Sequence, residues 1–125
     1  MDDLKIKATK FTPEISFDSK NHILEIRGKS YPENCAEFYE PIFSWVNNYL
    51  SEITNEKIII NIELLYFNSS SSKALMNFFD MLEEADNIKN INVNWIYNSE
   101  DDIMLEYGEE FKEDMQTLIL NLIPK

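Results

Sequence analysis

Between an apolar run ending in Leu64-Leu65-Tyr66-Phe67 and a second apolar pattern beginning at Ala74-Leu75, the chain carries Asn68, the four serines Ser69, Ser70, Ser71 and Ser72, and Lys73. Hydroxyls at such a place can do two kinds of chemistry. One accepts a hydrogen bond from an early backbone N–H of a helix, as an N-cap; the other accepts a phosphoryl group. Asn68 or Ser69 alone would serve as the cap, which leaves the remaining hydroxyls without a structural reason. A phosphate here would meet free backbone donors and the positive end of a helix dipole, so the fold could hold a dianion without being rebuilt. Lys73, one turn on, could also reach it. Ser69 is the preferred acceptor, Ser70 and Ser71 are the alternatives, and Asn68, Ser70, Ser71 and Lys73 form the setting.

Other residues offer less. His22 is the only histidine, falls in an expected hairpin turn and has no paired nucleophile, which points to a solvent-exposed structural role. Glu100-Asp101-Asp102 with Glu106, Glu109 and Glu110 could attract a hard cation, but the spacing matches no calcium loop and such runs are mostly solvated helix faces. Asp101, Asp102, Glu106 and Glu109 are better candidates for a partner-binding surface. Tyr66 and Met76 join them from either side of the serine corner, whereas Phe67 reads as core. The only glycines, Gly28 and Gly108, sit in no nucleotide-binding motif. No catalytic residue, metal site or cofactor is therefore expected. Two other readings stay open: a constitutive interaction domain whose serines only cap a helix, and a small metal-dependent enzyme built on the acidic run.

The 125 residues fit one domain, 1–125, and 44% hydrophobic residues with 13% aromatic can build its core. With 23 acidic residues against 11 basic ones, the formal charge of −12 disfavours nucleic acid and anionic membranes as partners. Cys35 is alone, so there is no intramolecular disulfide and no cysteine set for zinc. The N-terminus lacks the basic and apolar regions of a signal peptide, and no apolar stretch reaches membrane-span length. A cytoplasmic protein without membrane insertion is expected.

The elements that must position the corner follow from hydrophobic spacing. Residues 4 to 11 read as an extended arm or an edge strand. Ile15 and Phe17, then Ile23, Leu24 and Ile26, mark two strands joined by the turn Asp18-Ser19-Lys20-Asn21. Tyr39, Ile42, Val46, Tyr49, Leu50 and Ile53 recur at helical spacing, giving a helix from about Asn34 to about Ile53, with Pro41 marking its first turn or a kink. Lys57 to Phe67 is so rich in isoleucine and leucine that it reads as a central strand covered on both faces. Leu75, Phe78, Phe79, Leu82 and Ala85 form one face of the clearest helix. Ile91, Val93, Trp95 and Tyr97 alternate as a strand, and a helix beginning near Ser99-Glu100-Asp101-Asp102 carries Met104, Tyr107, Phe111 and Met115, with Gly108 marking close packing or a break. Leu118 to Ile123 reads as a last strand or a short helix, with the strand preferred. The order ββαβαβαβ implies an α/β fold with a mixed central sheet and helices packed against its faces.

Ser30-Tyr31-Pro32-Glu33-Asn34, Leu65-Tyr66-Phe67-Asn68-Ser69-Ser70-Ser71, Lys73-Ala74-Leu75-Met76 and Tyr107-Gly108-Glu109-Glu110-Phe111, taken in order, resemble the SiaC family of bacterial regulatory phosphoproteins over nearly the whole chain. The resemblance implies a STAS-like (anti-anti-sigma-like) domain acting as a phosphorylation-controlled adaptor. It implies a cognate protein kinase, a PP2C-type phosphatase that reverses the modification, and a diguanylate cyclase effector bound and activated by the unphosphorylated form. The family's modified residue is a threonine directly after the Tyr-x-Asn of the corner. Ser69 stands at that position here, keeping the hydroxyl and dropping the methyl, a departure that bears on kinase preference.

Overall fold

The computed structural model describes residues 1–86 and 90–125. Its elements are β1 (Leu4–Ile6), β2 (Glu14–Asp18), β3 (Ile23–Ser30), α1 (Cys35–Glu52), β4 (Lys57–Phe67), α2 (Ser69–Asp86), β5 (Asn90–Tyr97), α3 (Asp102–Asp114) and β6 (Ile119–Pro124). One strand thus stands ahead of the expected order ββαβαβαβ. β1 is too short to show a period of its own, and pairing fixes it: Leu4 lies opposite Phe17 and Ile6 opposite Ile15.

The strands form one mixed sheet in the order β1-β2-β3-β4-β5-β6. β2 runs antiparallel to both of its neighbours, β1 and β3, and is joined to β3 by a turn in which Asp18 accepts from the Lys20 and Asn21 N–H groups. β3 to β6 run parallel. Each parallel connection steps to the next strand in the same direction through a helix. Right-handed crossovers of that kind put α1, α2 and α3 on one face, not on both as the sequence suggests. β4 shows the consequence: Ile58, Ile60, Ile62 and Leu64 are buried, while Ile59, Asn61 and Glu63 on the other face are half-buried. The isoleucine run hid this, because Asn61 and Glu63 were the only polar marks of the open side. There Asn121 donates to Asn94, Asn94 to Asn61, and Asn61 to Glu25, a row of polar side chains across four strands.

The core lies between the sheet and the helices, with Phe17, Tyr49, Phe78, Phe79 and Trp95 its largest members. Asn34 caps α1 by accepting from the Glu37 N–H at 3.1 Å. Pro41 falls in the second turn of that helix, which runs on to Glu52 although proline denies the Glu37 carbonyl its usual donor. Gly108 marks close packing. A Cβ there would lie 2.5 Å from Trp95 Cδ1, and the Trp95 indole donates to the Met104 carbonyl at 2.9 Å. No helix among the described residues is long and apolar enough to cross a membrane.

Candidate functional site

All three helices begin at the carboxyl ends of parallel strands, so their positive dipole ends gather at one end of the sheet. The serine corner is there. Asn68 is the N-cap of α2: its Oδ1 accepts from the Ser71 N–H at 2.9 Å and its carbonyl from the Ser72 N–H at 2.9 Å. Its own N–H donates to the Ser30 carbonyl at 3.1 Å, which ties the corner to the end of β3. With Asn68 as cap, Ser69 and Ser70 occupy the first two helical positions, exposed, and their N–H groups meet no acceptor among the described residues. That is the usual state of a helix start open to an anion.

The serines differ sharply in environment. Ser71 is fully buried, its Oγ 2.8 Å from Ser30 Oγ and 3.8 Å from Cys35 Sγ. Ser30 Oγ in turn lies 2.6 Å from the Tyr39 hydroxyl. Burial pushes the Tyr39 phenol up to about 12, against a smaller lowering by the Ser30 hydrogen bond, so the phenol stays protonated in this cluster. Of the three expected acceptors, Ser71 is therefore the one whose hydroxyl is buried and already hydrogen-bonded. Ser70 and Lys73 line a groove of about 890 Å³ between the first turns of α1 and α2, together with Asn34, Cys35, Glu37 and Tyr39. Lys73 is exposed and forms no ion pair among the described residues. Met76, also exposed, lies on the opposite flank of α2, in a recess shared with Phe79 and Phe111 of the core.

An irregularity in β4 shapes the approach to the corner. The register passes from Gly28 opposite Leu64 to Lys29 opposite Tyr66, leaving Leu65 as an extra residue. Gly28 takes φ +122°, a conformation other residues rarely adopt. This bulge turns Leu65 and Tyr66 outward, 62% and 51% exposed, and returns Phe67 to the core. Tyr66 continues a line of edge-to-face rings, 5.5 Å from Tyr31, which is 5.3 Å from Phe11. Leu65, Tyr31 and Phe11 were not among the surface contacts expected from the sequence; for Leu65 the isolated Gly28 within β3 was the available signal.

The acidic candidates divide as well. Asp101 caps α3, its Oδ1 accepting from the Met104 N–H at 3.1 Å, so its carboxylate is already engaged. Asp102, Glu106 and Glu109 are exposed along α3. Among the described residues no three His, Cys, Asp or Glu side chains converge on a point that could hold a metal ion. His22 is half-buried, not solvent-exposed: its Nδ1 lies 2.6 Å from the Tyr49 hydroxyl, at a residue with φ 60°.

The fold is thus a one-faced α/β sheet that presents a capped, exposed helix start beside exposed apolar residues. The family model described as SiaC family regulatory phosphoprotein matches residues 6–125. The chain belongs to that family. It is 36% identical over 115 residues to an uncharacterized protein of Pseudomonas aeruginosa, covering 91% of this chain and 90% of that one. Among solved structures it is similar to apo-SiaC from Pseudomonas aeruginosa, with a TM-score of 0.90, 34% identity, and 98% and 99% of the two chains covered. A second is the crystal structure of the diguanylate cyclase SiaD in complex with its activator SiaC from the same organism, with a TM-score of 0.87, 34% identity, and 96% and 99% covered.

Proposed function

We propose that this protein is a non-enzymatic, STAS-like phospho-switch of the cytoplasm, whose unmodified form docks on and activates a diguanylate cyclase. Phosphorylation of Ser69 by a cognate kinase blocks docking, and a PP2C-type phosphatase restores it. The observation that carries this reading is the exposed Ser69 hydroxyl at the first position of α2, beside two unpaired backbone N–H groups. The relative described as the activator of a diguanylate cyclase supports the choice of effector. The docking surface comprises Leu65, Tyr66 and Met76, with Asp102, Glu106 and Glu109 on the neighbouring helix. A phosphate adds about −1.5 to −2 charges beside it, and an apolar contact cannot form over a dianion that keeps its water. Ser70 is the remaining alternative acceptor.

Fragment-ion mass spectrometry after incubation with the kinase and ATP tests the site. One phosphate at Ser69, lost in Ser69→Ala, is the expected result. Phosphate retained by Ser69→Ala would overturn the assignment.

A further inference from the structure

β6 is the last strand of the sheet, and no described strand pairs with its outer edge. An edge of unpaired N–H and C=O groups recruits other strands unless charge, proline or a bulge blunts it. β1, at the opposite edge, carries Lys5 and is followed by Lys7. β6 presents Ile119-Leu120-Asn121-Leu122-Ile123, with no charge, and with Ile119 and Ile123 exposed.

This segment reads the same in both directions about Asn121. A two-fold axis requires that if residue i meets j, then j meets i. Antiparallel pairing of β6 with its own copy, centred on Asn121, meets that requirement with identical side chains: Ile119 opposite Ile123, Leu120 opposite Leu122, and Asn121 opposite itself.

The backbone is poised for the same register. Lys125 donates its N–H to the Tyr97 carbonyl at 2.9 Å and accepts from the Ser99 N–H at 3.2 Å, so both its groups face β5. Strand groups alternate in direction, so Ile123, Asn121 and Ile119 also face β5, while Leu120 and Leu122 point theirs outward. Leu120 and Leu122 of the two copies would then form the hydrogen-bonded pairs, and the two Asn121 residues the closer, non-hydrogen-bonded pair. Beyond the palindrome the edge is closed: the Leu118 N–H already donates to Glu83 Oε2 at 3.0 Å, and Pro124 has no N–H. The open edge and the palindrome therefore coincide.

The open face supplies a second match. Each amide of the row Asn121, Asn94, Asn61 donates inward towards Glu25, at 3.1, 2.9 and 3.1 Å, which leaves the Asn121 Oδ1 unused among the described residues. A primary amide is self-complementary, carrying both a donor and an acceptor. Two Asn121 amides facing across the axis can join the rows of both copies.

We propose that β6 is a homodimer edge, at which a second copy of this chain adds antiparallel in the register centred on Asn121. The surface is independent of Ser69. The axis sets two acidic α3 helices side by side, with Glu106, Glu109, Glu110 and Glu113 exposed on each, so association strengthens with added salt.

Sedimentation equilibrium of the full chain at about 0.15 M and about 1 M sodium chloride reads the association, and cysteine coupling reads the register. The expected result is a reversible dimer, tighter at high salt, with a Kd on the order of 10⁻⁴ M suited to a small interface, weakened at least about tenfold by Asn121→Lys. In a Cys35→Ser background, Asn121→Cys couples to itself on mild oxidation, because opposed Cα atoms in a non-hydrogen-bonded pair lie within disulfide range. Ile119→Cys alone does not couple, but mixed with Ile123→Cys it does. A chain that stays monomeric to about 1 mM at both salt concentrations would overturn the proposal. So would self-coupling of Ile119→Cys as fast as that of Asn121→Cys.

Discussion

The Ser71 hydroxyl lies 2.8 Å from that of Ser30, which lies 2.6 Å from the phenol of Tyr39, and all three side chains are buried. The chain of hydroxyls binds the first turn of α2 to the end of β3 and to α1. Two residues earlier Ser69 faces solvent on the same turn. One serine thus holds the corner while another on the same turn faces solvent, a difference that four identical residues conceal.

Ser71→Ala should cost about 1–3 kcal/mol, because Ser30 loses a buried partner, whereas Ser70→Ala should change stability by no more than about 0.5 kcal/mol. Urea unfolding of the two variants measures the difference. Equal costs would mean that the buried cluster does not anchor the helix.

Gly108→Ala sets two effects against each other. Alanine favours a helix interior by about 1 kcal/mol, but the added Cβ would lie 2.5 Å from Trp95 Cδ1 and 2.7 Å from Leu122 Cδ2. Overpacking of that kind costs about 1–3 kcal/mol, so net destabilisation with a shifted Trp95 emission is expected. Chemical unfolding followed by tryptophan fluorescence reads both, and a stabilised variant would show that Trp95 gives way.

Glu83 joins α2 to the segment entering β6, its carboxylate accepting from the N–H groups of Gln116, Thr117 and Leu118 and from the Thr117 hydroxyl. Desolvation raises its pKa, but these donors together outweigh it and hold the group down to about 2, against 4.5 when free. A depressed folded-state pKa stabilises above the unfolded value and loses that contribution as pH falls through the folded one. Wild-type stability should therefore fall relative to Glu83→Gln between about pH 4.5 and pH 2, as measured by urea midpoints along that range. Parallel acid limbs would contradict the role given to Glu83.

Most of the architecture was legible because the hydrophobic periods were unmixed. Tyr39 to Ile53 and Leu75 to Ala85 could only be helices, and the turn at Asp18-Ser19-Lys20-Asn21 carries its own side-chain acceptor. The single covered face was not legible, since isoleucine at 59 next to 58 and 60 suits both a buried strand and one that exposes half its side chains. At the site, side-chain chemistry narrowed the cap to Asn68 or Ser69, and only the Ser71 N–H donating to Asn68 Oδ1 chose between them. What separated Ser71 from Ser69 was a contact with Ser30, far away in the chain, which local spacing cannot reveal. Tyr66 was expected at the surface beside the corner, but Leu65 is turned outward by a shift of register against Gly28, a property of two strands together.

In the proposed switch, one phosphate on Ser69 decides whether the effector is bound. Calorimetric titration of a diguanylate cyclase with the unmodified chain and with a chain carrying phosphoserine introduced at 69 during synthesis measures it directly. Binding by the unmodified chain, weakened at least about tenfold by the phosphate, is expected. Equal affinity of the two forms would contradict the switch.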